Sequence, residues 1–233
     1  MSNRRRILLV GASGLVGSKV IDLVRGREGI RLLALARREF ALPMGAQIEV
    51  MVAAPANWPD AIAQLAPDAV ICALGTTWAA SGKDEAAFRA VDQDLVLSVA
   101  RAAKAAGAEN FVLVSSTGAD LGSRQFYLRV KGEVERDVGK IGFARLDILR
   151  PGLLRGQRGG ERRVLERLGI LLSPLTDLFL HGGKRVYRSI DADVVAAAAL
   201  QGSLEKRRGR FVQDNDGIAR LARDLPGVSR DPK

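Results

Sequence analysis

The chain has 233 residues, of which 47% are hydrophobic and 27% are charged, with a formal net charge of +10. This length allows one substantial α/β core but not two large domains, and the composition excludes a disordered chain. No apolar run has the length of a membrane span. Cys72 is the only cysteine, which excludes an intramolecular disulfide and argues against a cysteine-based metal site. We therefore expect one soluble domain in a reducing compartment, the cytoplasm.

The excess of Lys and Arg raises the question of nucleic acid. The basic residues are spread along the chain, however, and the few aromatic residues (5%) are not interleaved with them. No helix-turn-helix, zinc-finger or RNA-binding motif is present. Residues 1–6 (MSNRRR) lead directly into an apolar run, so we expect no secretory signal. The charge suits an anionic cofactor or substrate, and nucleic-acid binding is the least favoured alternative.

Short apolar runs alternate along the chain with longer segments of helical periodicity. Predicted strands cover residues 7–10, 31–36, 48–52, 69–74, 111–114 and 146–149, and predicted helices cover about 15–25, 58–65, 84–106 and 126–140. This alternation predicts an α/β fold with a doubly wound parallel sheet covered on both faces. The pattern weakens after Pro151. We predict a single domain over residues 1–233, with a cofactor-binding core over about 1–151 and a small C-terminal elaboration over about 152–233.

The first predicted strand ends in a glycine-rich loop, residues 11–17 (GASGLVG), which opens the first helix. Glycines in this context permit a tight turn and a close approach to a pyrophosphate, while free N–H groups at the helix start bind the anion. The spacing is Gly-x-x-Gly-x-x-Gly, and an ordinary βα turn is the alternative. The flanking strand and helix favour a Rossmann-type dinucleotide site. Its predicted residues are Gly11, Ser13, Gly14, Leu15, Val16 and Gly17.

Arg37 and Arg38 follow the second predicted strand, where the adenosine ribose of a bound dinucleotide lies. An acidic residue at this position accepts the ribose hydroxyls of NAD, whereas arginine pairs with the 2′-phosphate of NADP. The alternative is that both arginines are ordinary surface charges. The sequence therefore predicts NADP(H) as the cofactor.

A candidate catalytic group follows the fifth predicted strand. Tyr127 and Lys131 are four residues apart, on one face of a helix, and Ser116 lies at the strand's carboxyl end, where ligands of α/β proteins bind. A phenol is a poor acid or base at neutral pH, but a nearby ammonium and an oxidised nicotinamide favour the phenolate. Tyr127 can then exchange a proton with a carbonyl or alcohol as a hydride moves. Ser115 is a rival for the serine role, since a slip of one residue exchanges the two.

Five segments together resemble the short-chain dehydrogenase/reductase superfamily, in particular its atypical branch that includes the Tat-interacting oxidoreductase-like proteins. The segments are residues 11–17, 73–77 (ALGTT), 114–120 (VSSTGAD), 127–135 (YLRVKGEVE) and 149–152 (LRPG). The resemblance extends over about two-thirds of the chain and is looser in the tail.

The resemblance implies a catalytic trio of Ser116, Tyr127 and Lys131 and a set of further cofactor contacts. Lys131 would also hold the nicotinamide ribose. The turn after the fourth strand would border the adenosine side, and the segment after the sixth strand would border the nicotinamide. These contacts are Ala73, Leu74, Gly75, Lys131, Pro151 and Gly152.

One position departs from the pattern of many relatives, which carry an asparagine in the helix after the fourth strand that supports a proton relay. Asp92 occupies this position here. A carboxylate only accepts hydrogen bonds, whereas an amide also donates them, so this departure bears on turnover rather than on cofactor binding. We predict an NADP(H)-dependent oxidoreductase acting on a carbonyl or alcohol of an unidentified small molecule. The alternative is a non-catalytic NADP(H)-binding regulatory or redox-sensing protein.

The remaining features of the sequence bear less directly on function. The apolar segment 168–180 is a candidate lid, homodimer surface or contact with a membrane surface, and a solvated helix face is the alternative. Trp78 either stacks on a substrate or packs within its loop. The only histidine, His181, is expected to be structural or exposed. Asp191 or Asp193 is expected to cap a C-terminal helix.

Overall fold

The computed structural model describes residues 4–76, 78–156 and 188–227. Within them seven parallel strands form one sheet in the order β3-β2-β1-β4-β5-β6-β9. The strands are β1 (Arg5–Val10), β2 (Ile30–Ala36), β3 (Ile48–Val52), β4 (Ala69–Cys72), β5 (Asn110–Val114), β6 (Arg145–Leu149) and β9 (Gly209–Gln213). A separate parallel pair joins β7 (Leu154–Arg155) to β8 (Ile190–Asp191).

Helices cover both faces of this sheet. They are α1 (Leu15–Val24), α2 (Trp58–Leu65), α3 (Glu85–Arg89), α4 (Val96–Ala105), α5 (Phe126–Gly139), α6 (Ala192–Leu204) and α7 (Asn215–Arg223). Apolar residues of α1, α6 and α7 form the core on one face, and those of α2, α4 and α5 form the core on the other. The prediction of a doubly wound parallel α/β sheet is confirmed. Across the described ranges, no helix combines the length and the apolar character that a membrane span requires.

The six strands predicted from the sequence are all present, with small shifts at their ends. The helix predicted over residues 84–106 is three consecutive pieces, because a π-helical turn, Ala90–Leu95, separates α3 from α4. Strand β9 of the main sheet was not predicted. It lies at the sheet edge and is largely exposed, so it lacks the continuous apolar run that marks the central strands.

The C-terminal part of the chain contributes helices as well as this strand. Asp214, at the N-cap of α7, accepts a hydrogen bond from Gly217 N–H (2.9 Å). Asp191 occupies the N-cap of α6 as expected, but its side chain makes no capping hydrogen bond; it pairs instead with Arg155 (3.5 Å). Asp193 pairs with Lys19 of α1 (3.2 Å), which ties α6 to the first helix.

The strand order reverses at β1, which lies between β2 and β4. In open α/β sheets a ligand crevice forms at such a switch point, beyond the carboxyl ends of the strands. The chain segments that leave β1 and β4 at this edge begin with Gly11 and Ala73. The fold therefore places the glycine loop in this crevice.

Candidate cofactor and active site

The glycine loop packs so tightly that two of its glycines cannot be replaced without movement of the backbone. Gly11 has a φ of +89°, and a Cβ there would lie 2.6 Å from the carbonyl carbon of Ala73. A Cβ on Gly17 would lie 2.8 Å from the Cα of Ala12. The first contact joins the loops after β1 and β4, and the second presses α1 onto its own loop. Close packing, as well as the turn, thus requires glycine.

The start of α1 offers unpaired backbone donors. Gly14 is the N-cap residue, and its own N–H donates to Gly11 O (3.0 Å). Among the described residues, no acceptor is present for the N–H groups of Leu15, Val16 and Gly17, and the first turn contains no acidic residue. Ser13 is exposed beside them. Free donors at the positive end of the helix dipole form a site for an anion such as a pyrophosphate.

A cavity extends from this loop between the carboxyl ends of β2 and β4. Its lining residues are Gly11, Ala12, Ser13, Gly14, Leu35, Ala36, Arg37, Arg38, Trp58, Ala73, Leu74, Gly75, Val91 and Leu95. Trp58 is buried and donates from Nε1 to Ala53 O (3.0 Å). Arg37 and Arg38 are exposed, and neither forms an ion pair with a described residue. The cavity thus brings the loop, the arginines and the 73–75 turn together.

The two serines after β5 have different surroundings. Ser115 is buried and donates from its hydroxyl to Glu135 Oε1 (2.5 Å). Glu135 is itself buried and is paired with the guanidinium of Arg150. Ser116 is only half-buried, and its hydroxyl lies 3.3 Å from Thr117 O. Ser115 therefore belongs to a buried network that joins β5, α5 and β6, whereas Ser116 lies at the surface of the sheet edge.

Helix α5 is held against the loop that follows Ser116. Asp120 N–H donates to Leu128 O (3.1 Å), and a Cβ on Gly132 would lie 2.6 Å from the carbonyl carbon of Asp120. This close packing fixes the first turns of α5, and with them Tyr127, relative to the segment that begins at Ser116. The ring of Tyr127 packs against that of Phe88, with 5.5 Å between the centroids.

Tyr127 belongs to an aromatic cluster with Trp78, Phe88 and Phe126. Trp78 lies 5.1 Å from Phe126 and 6.1 Å from Phe88, measured between ring centroids. Phe88 is fully buried, while Trp78 and Phe126 are half-buried. Trp78 therefore packs within a cluster that reaches the surface next to Tyr127.

Lys131 lies one turn after Tyr127 and is buried in an ion pair with Asp92. Its Nζ is 2.7 Å from Asp92 Oδ1 and 5.9 Å from the centroid of the Tyr127 ring. The second carboxylate oxygen, Oδ2, accepts a hydrogen bond from Thr76 N–H (2.7 Å). The pair was not predicted from the sequence, although a carboxylate at a buried helical position was a signal that it needed a partner.

The segment after β6 is fixed to the same sheet edge. Thr117 N–H donates to Pro151 O (2.9 Å), and Gly152 N–H donates to Asn215 Oδ1 (2.9 Å). A Cβ on Gly152 would lie 3.1 Å from the carbonyl carbon of Arg188. Pro151 and Gly152 thus lie beside the residues that follow Ser116. Asn215 was missed in the sequence, because no local pattern marks a long-range contact of this kind.

The structure therefore places the predicted site residues along one edge of the sheet, in two groups. The glycine loop, Arg37, Arg38 and the 73–75 turn line the cavity, and Ser116, Tyr127, Lys131 and the 151–152 segment lie on β5, α5 and β6 or directly after them. Thr77, His181 and the apolar segment 168–180 lie outside the described residues.

Comparison with known proteins agrees with this architecture. A family model described as NAD(P)H-binding matches residues 11–172. The protein fmp52 of Emericella nidulans is 33% identical over 219 residues, which cover 91% of this chain and 93% of that protein. FMP52-1 of Scheffersomyces stipitis is 35% identical over 207 residues, with coverage of 85% and 89%. Both relatives are named as mitochondrial proteins, and the cytoplasmic location expected from the sequence is therefore wrong.

Solved structures show the same fold at lower identity. MoeE5 in complex with UDP-glucose and NAD superposes with a TM-score of 0.67 and 18% identity, covering 95% of this chain and 82% of that one. UDP-glucose 4-epimerase from Brucella ovis in complex with NAD gives a TM-score of 0.67 and 16% identity, with coverage of 93% and 81%. The expected Rossmann-type fold is confirmed, and the chain belongs to the NAD(P)H-binding family of Rossmann-fold proteins.

Proposed function

We propose that the protein is an NADP(H)-dependent oxidoreductase that transfers a hydride to or from a carbonyl or alcohol of a small molecule. The observation that carries the proposal is the common sheet edge, where close packing holds the helix of Tyr127 and Lys131 against the segment that begins at Ser116. The motifs on these segments resemble the atypical short-chain dehydrogenases, and within them the Tat-interacting oxidoreductase-like group.

The residues present fit a dinucleotide. The free N–H groups of Leu15, Val16 and Gly17 are suited to its pyrophosphate. The close packing that Gly11 and Gly17 permit holds these donors at the end of β1. When bound, the nicotinamide supplies or accepts the hydride. The cavity between the ends of β2 and β4 would take the adenosine half.

Arg37 and Arg38 support NADP(H) rather than NAD(H) as the cofactor. Both are exposed on the cavity wall at the carboxyl end of β2, where the adenosine ribose lies in this fold. Because neither is paired with a described carboxylate, their donors are available to a 2′-phosphate.

The members of the proposed catalytic trio have different tasks during carbonyl reduction. The hydroxyl of Tyr127 donates its proton to the carbonyl oxygen as that oxygen gains negative charge. The hydroxyl of Ser116 donates a hydrogen bond to the same oxygen. The ammonium of Lys131 stabilises the phenolate that remains and binds the nicotinamide ribose. In alcohol oxidation the proton returns to the Tyr127 oxygen.

Ser116 is the better candidate of the two serines. The hydroxyl of Ser115 is committed to Glu135 in a buried network, whereas that of Ser116 has only a long contact with Thr117 O. A serine that binds a reacting oxygen needs an available hydroxyl, which favours Ser116.

The ion pair of Asp92 and Lys131 favours a second candidate, a non-catalytic NADP(H)-binding protein. The carboxylate compensates the charge of the ammonium that would otherwise act on Tyr127. A protein that binds the cofactor without turning it over is compatible with this arrangement.

Substitution of Tyr127 separates the two candidates. We expect wild type to oxidise NADPH with some members of a panel of aldehydes and ketones, and Tyr127→Phe to lose about 10²–10⁴-fold in kcat because the proton donor is absent. The dissociation constant for NADPH, measured by its fluorescence, should stay unchanged. If no carbonyl or alcohol in the panel shows turnover that depends on Tyr127, the regulatory candidate replaces the enzyme.

A further inference from the structure

The ion pair of Asp92 and Lys131 lies directly beneath the cofactor cavity. Asp92 is fully buried and the side chain of Lys131 is 7% exposed. A Cβ added to Gly75, which lines the cavity, would lie 3.5 Å from Asp92 Oδ1 and 3.8 Å from Lys131 Nζ. One glycine residue thus separates the two charges from the cofactor cavity.

Asp92 links three separate segments through its two oxygens. Oδ2 binds the backbone of the turn after β4 at Thr76, and Oδ1 binds Lys131 on α5. Asp92 itself lies in the π-helical turn Ala90–Leu95. Single π turns inside α-helices occur often at functional sites, and here the turn carries the carboxylate that reaches both partners.

The charge of Lys131 depends on this carboxylate. Burial by itself lowers the pKa of Lys131, but attraction to Asp92, a smaller attraction from Tyr127 and the hydrogen bond to Asp92 outweigh it, so the pKa is raised. The titratable groups that face the ammonium are Asp92 from the π turn, Tyr127 from α5 and Cys72 from β4. Burial raises the pKa of Cys72 to about 11, so its thiol is neutral at physiological pH. Asp92 is therefore the negative charge that keeps the buried lysine protonated.

We propose that Asp92 is a positioning residue that keeps the ammonium of Lys131 charged and fixed beneath the cofactor, so that cofactor binding does not vary with pH between 6.5 and 9. The inference rests on the proposed placement of Lys131 at the nicotinamide ribose. It does not depend on turnover. Many short-chain dehydrogenases carry an asparagine at the position of Asp92. The aspartate lacks the N–H donor of that amide but supplies a negative charge to Lys131.

The test is the pH dependence of NADPH binding, measured by fluorescence titration between pH 6.5 and 9 on wild type and Asp92→Asn. Wild type should show a flat profile. In D92N the buried lysine has lost its counter-charge and gives up its proton as the pH rises. Affinity should then be about tenfold weaker at pH 9 than at pH 6.5, as expected for the loss of one charge-assisted hydrogen bond. A flat profile for D92N overturns the proposal.

Two further variants exclude a general effect of lost packing. Asp147→Asn breaks another buried ion pair, Arg145–Asp147 (2.6 Å, side chains 6% and 1% exposed), which lies on β6. Its binding profile should stay flat. The double variant D92N/K131R carries a guanidinium that does not deprotonate, and it should lose the pH dependence of D92N. If D92N does not fold, Asp92→Ser removes the same charge with a smaller polar side chain.

Lys131→Met separates this inference from the proposed function. It should weaken NADPH binding at every pH in the range. If it leaves the affinity unchanged, Lys131 does not contact the cofactor and the role of Asp92 falls with it. The proposed enzymatic activity is tested separately, by the turnover of Tyr127→Phe. Failure of that test would leave these binding profiles as they are.

Discussion

The two halves of the candidate site differ in the groups that form them: one is mainly backbone and the other is mainly side chains. The proposed adenosine half consists mainly of backbone: the glycine loop, the free N–H groups of α1 and the turn at Ala73. Two arginines at its rim form no ion pair with a described residue. The proposed nicotinamide half consists of side chains held by buried polar networks, Asp92–Lys131 and Ser115–Glu135–Arg150. The first half therefore depends on close packing, and the second depends on charge balance. Substitutions should affect the two halves differently.

The largest effect is expected in the adenosine half, from Gly17→Ala. The new Cβ would lie 2.8 Å from the Cα of Ala12, so α1 must move away from its loop, at a cost of about 3 kcal/mol in unfolding free energy. NADPH binding should fall below detection because the donors of α1 move with the helix. Chemical denaturation and fluorescence titration measure the two effects.

Gly14→Ala is the matched control within the same loop. The nearest atom to its Cβ is Gly11 O at 3.1 Å, which a shift of a few tenths of an ångström relieves. Equal loss of stability in G17A and G14A would contradict the role assigned to close packing.

The next effect distinguishes the two serines of the nicotinamide half. Ser116→Ala should lower kcat about 10²–10³-fold with little change in stability, because it removes a hydrogen bond to the reacting oxygen. Ser115→Ala should instead lower the unfolding free energy by about 1–3 kcal/mol, because Glu135 loses a buried partner. Steady-state kinetics and denaturation of both variants give the comparison. The opposite pattern would make Ser115 the catalytic serine.

A smaller effect is expected at the rim of the adenosine half. Arg37→Asp should weaken NADPH binding by about 10–100-fold and leave NADH binding nearly unchanged, since only the 2′-phosphate loses its partner. Arg101→Asp, a charge reversal at an exposed position of α4, controls for the change in net charge. If NAD(H) binds wild type as tightly as NADP(H), or if R37D retains the wild-type preference, the assignment of the 2′-phosphate site is wrong.

The proposed adenosine half follows from the sequence more directly than the contacts of the proposed nicotinamide half. The glycine loop can be identified from the sequence because its glycines follow a predicted strand and open a helix, and Arg37 because it follows the second predicted strand. The partners of Asp92, Glu135 and Asn215 cannot be identified in this way, because each contact joins segments that are distant along the chain. The fold shows the same division. The buried central strand β4 is a continuous apolar run, whereas the exposed edge strand β9 is not.

A structure of the protein with bound NADP⁺ tests the proposed function most directly. We expect the pyrophosphate at the N–H groups of Leu15, Val16 and Gly17, the 2′-phosphate beside Arg37 or Arg38, and the nicotinamide facing Ser116 and Tyr127 with its ribose at Lys131. A nicotinamide directed away from Tyr127, or a 2′-phosphate without an arginine contact, would contradict the proposed function.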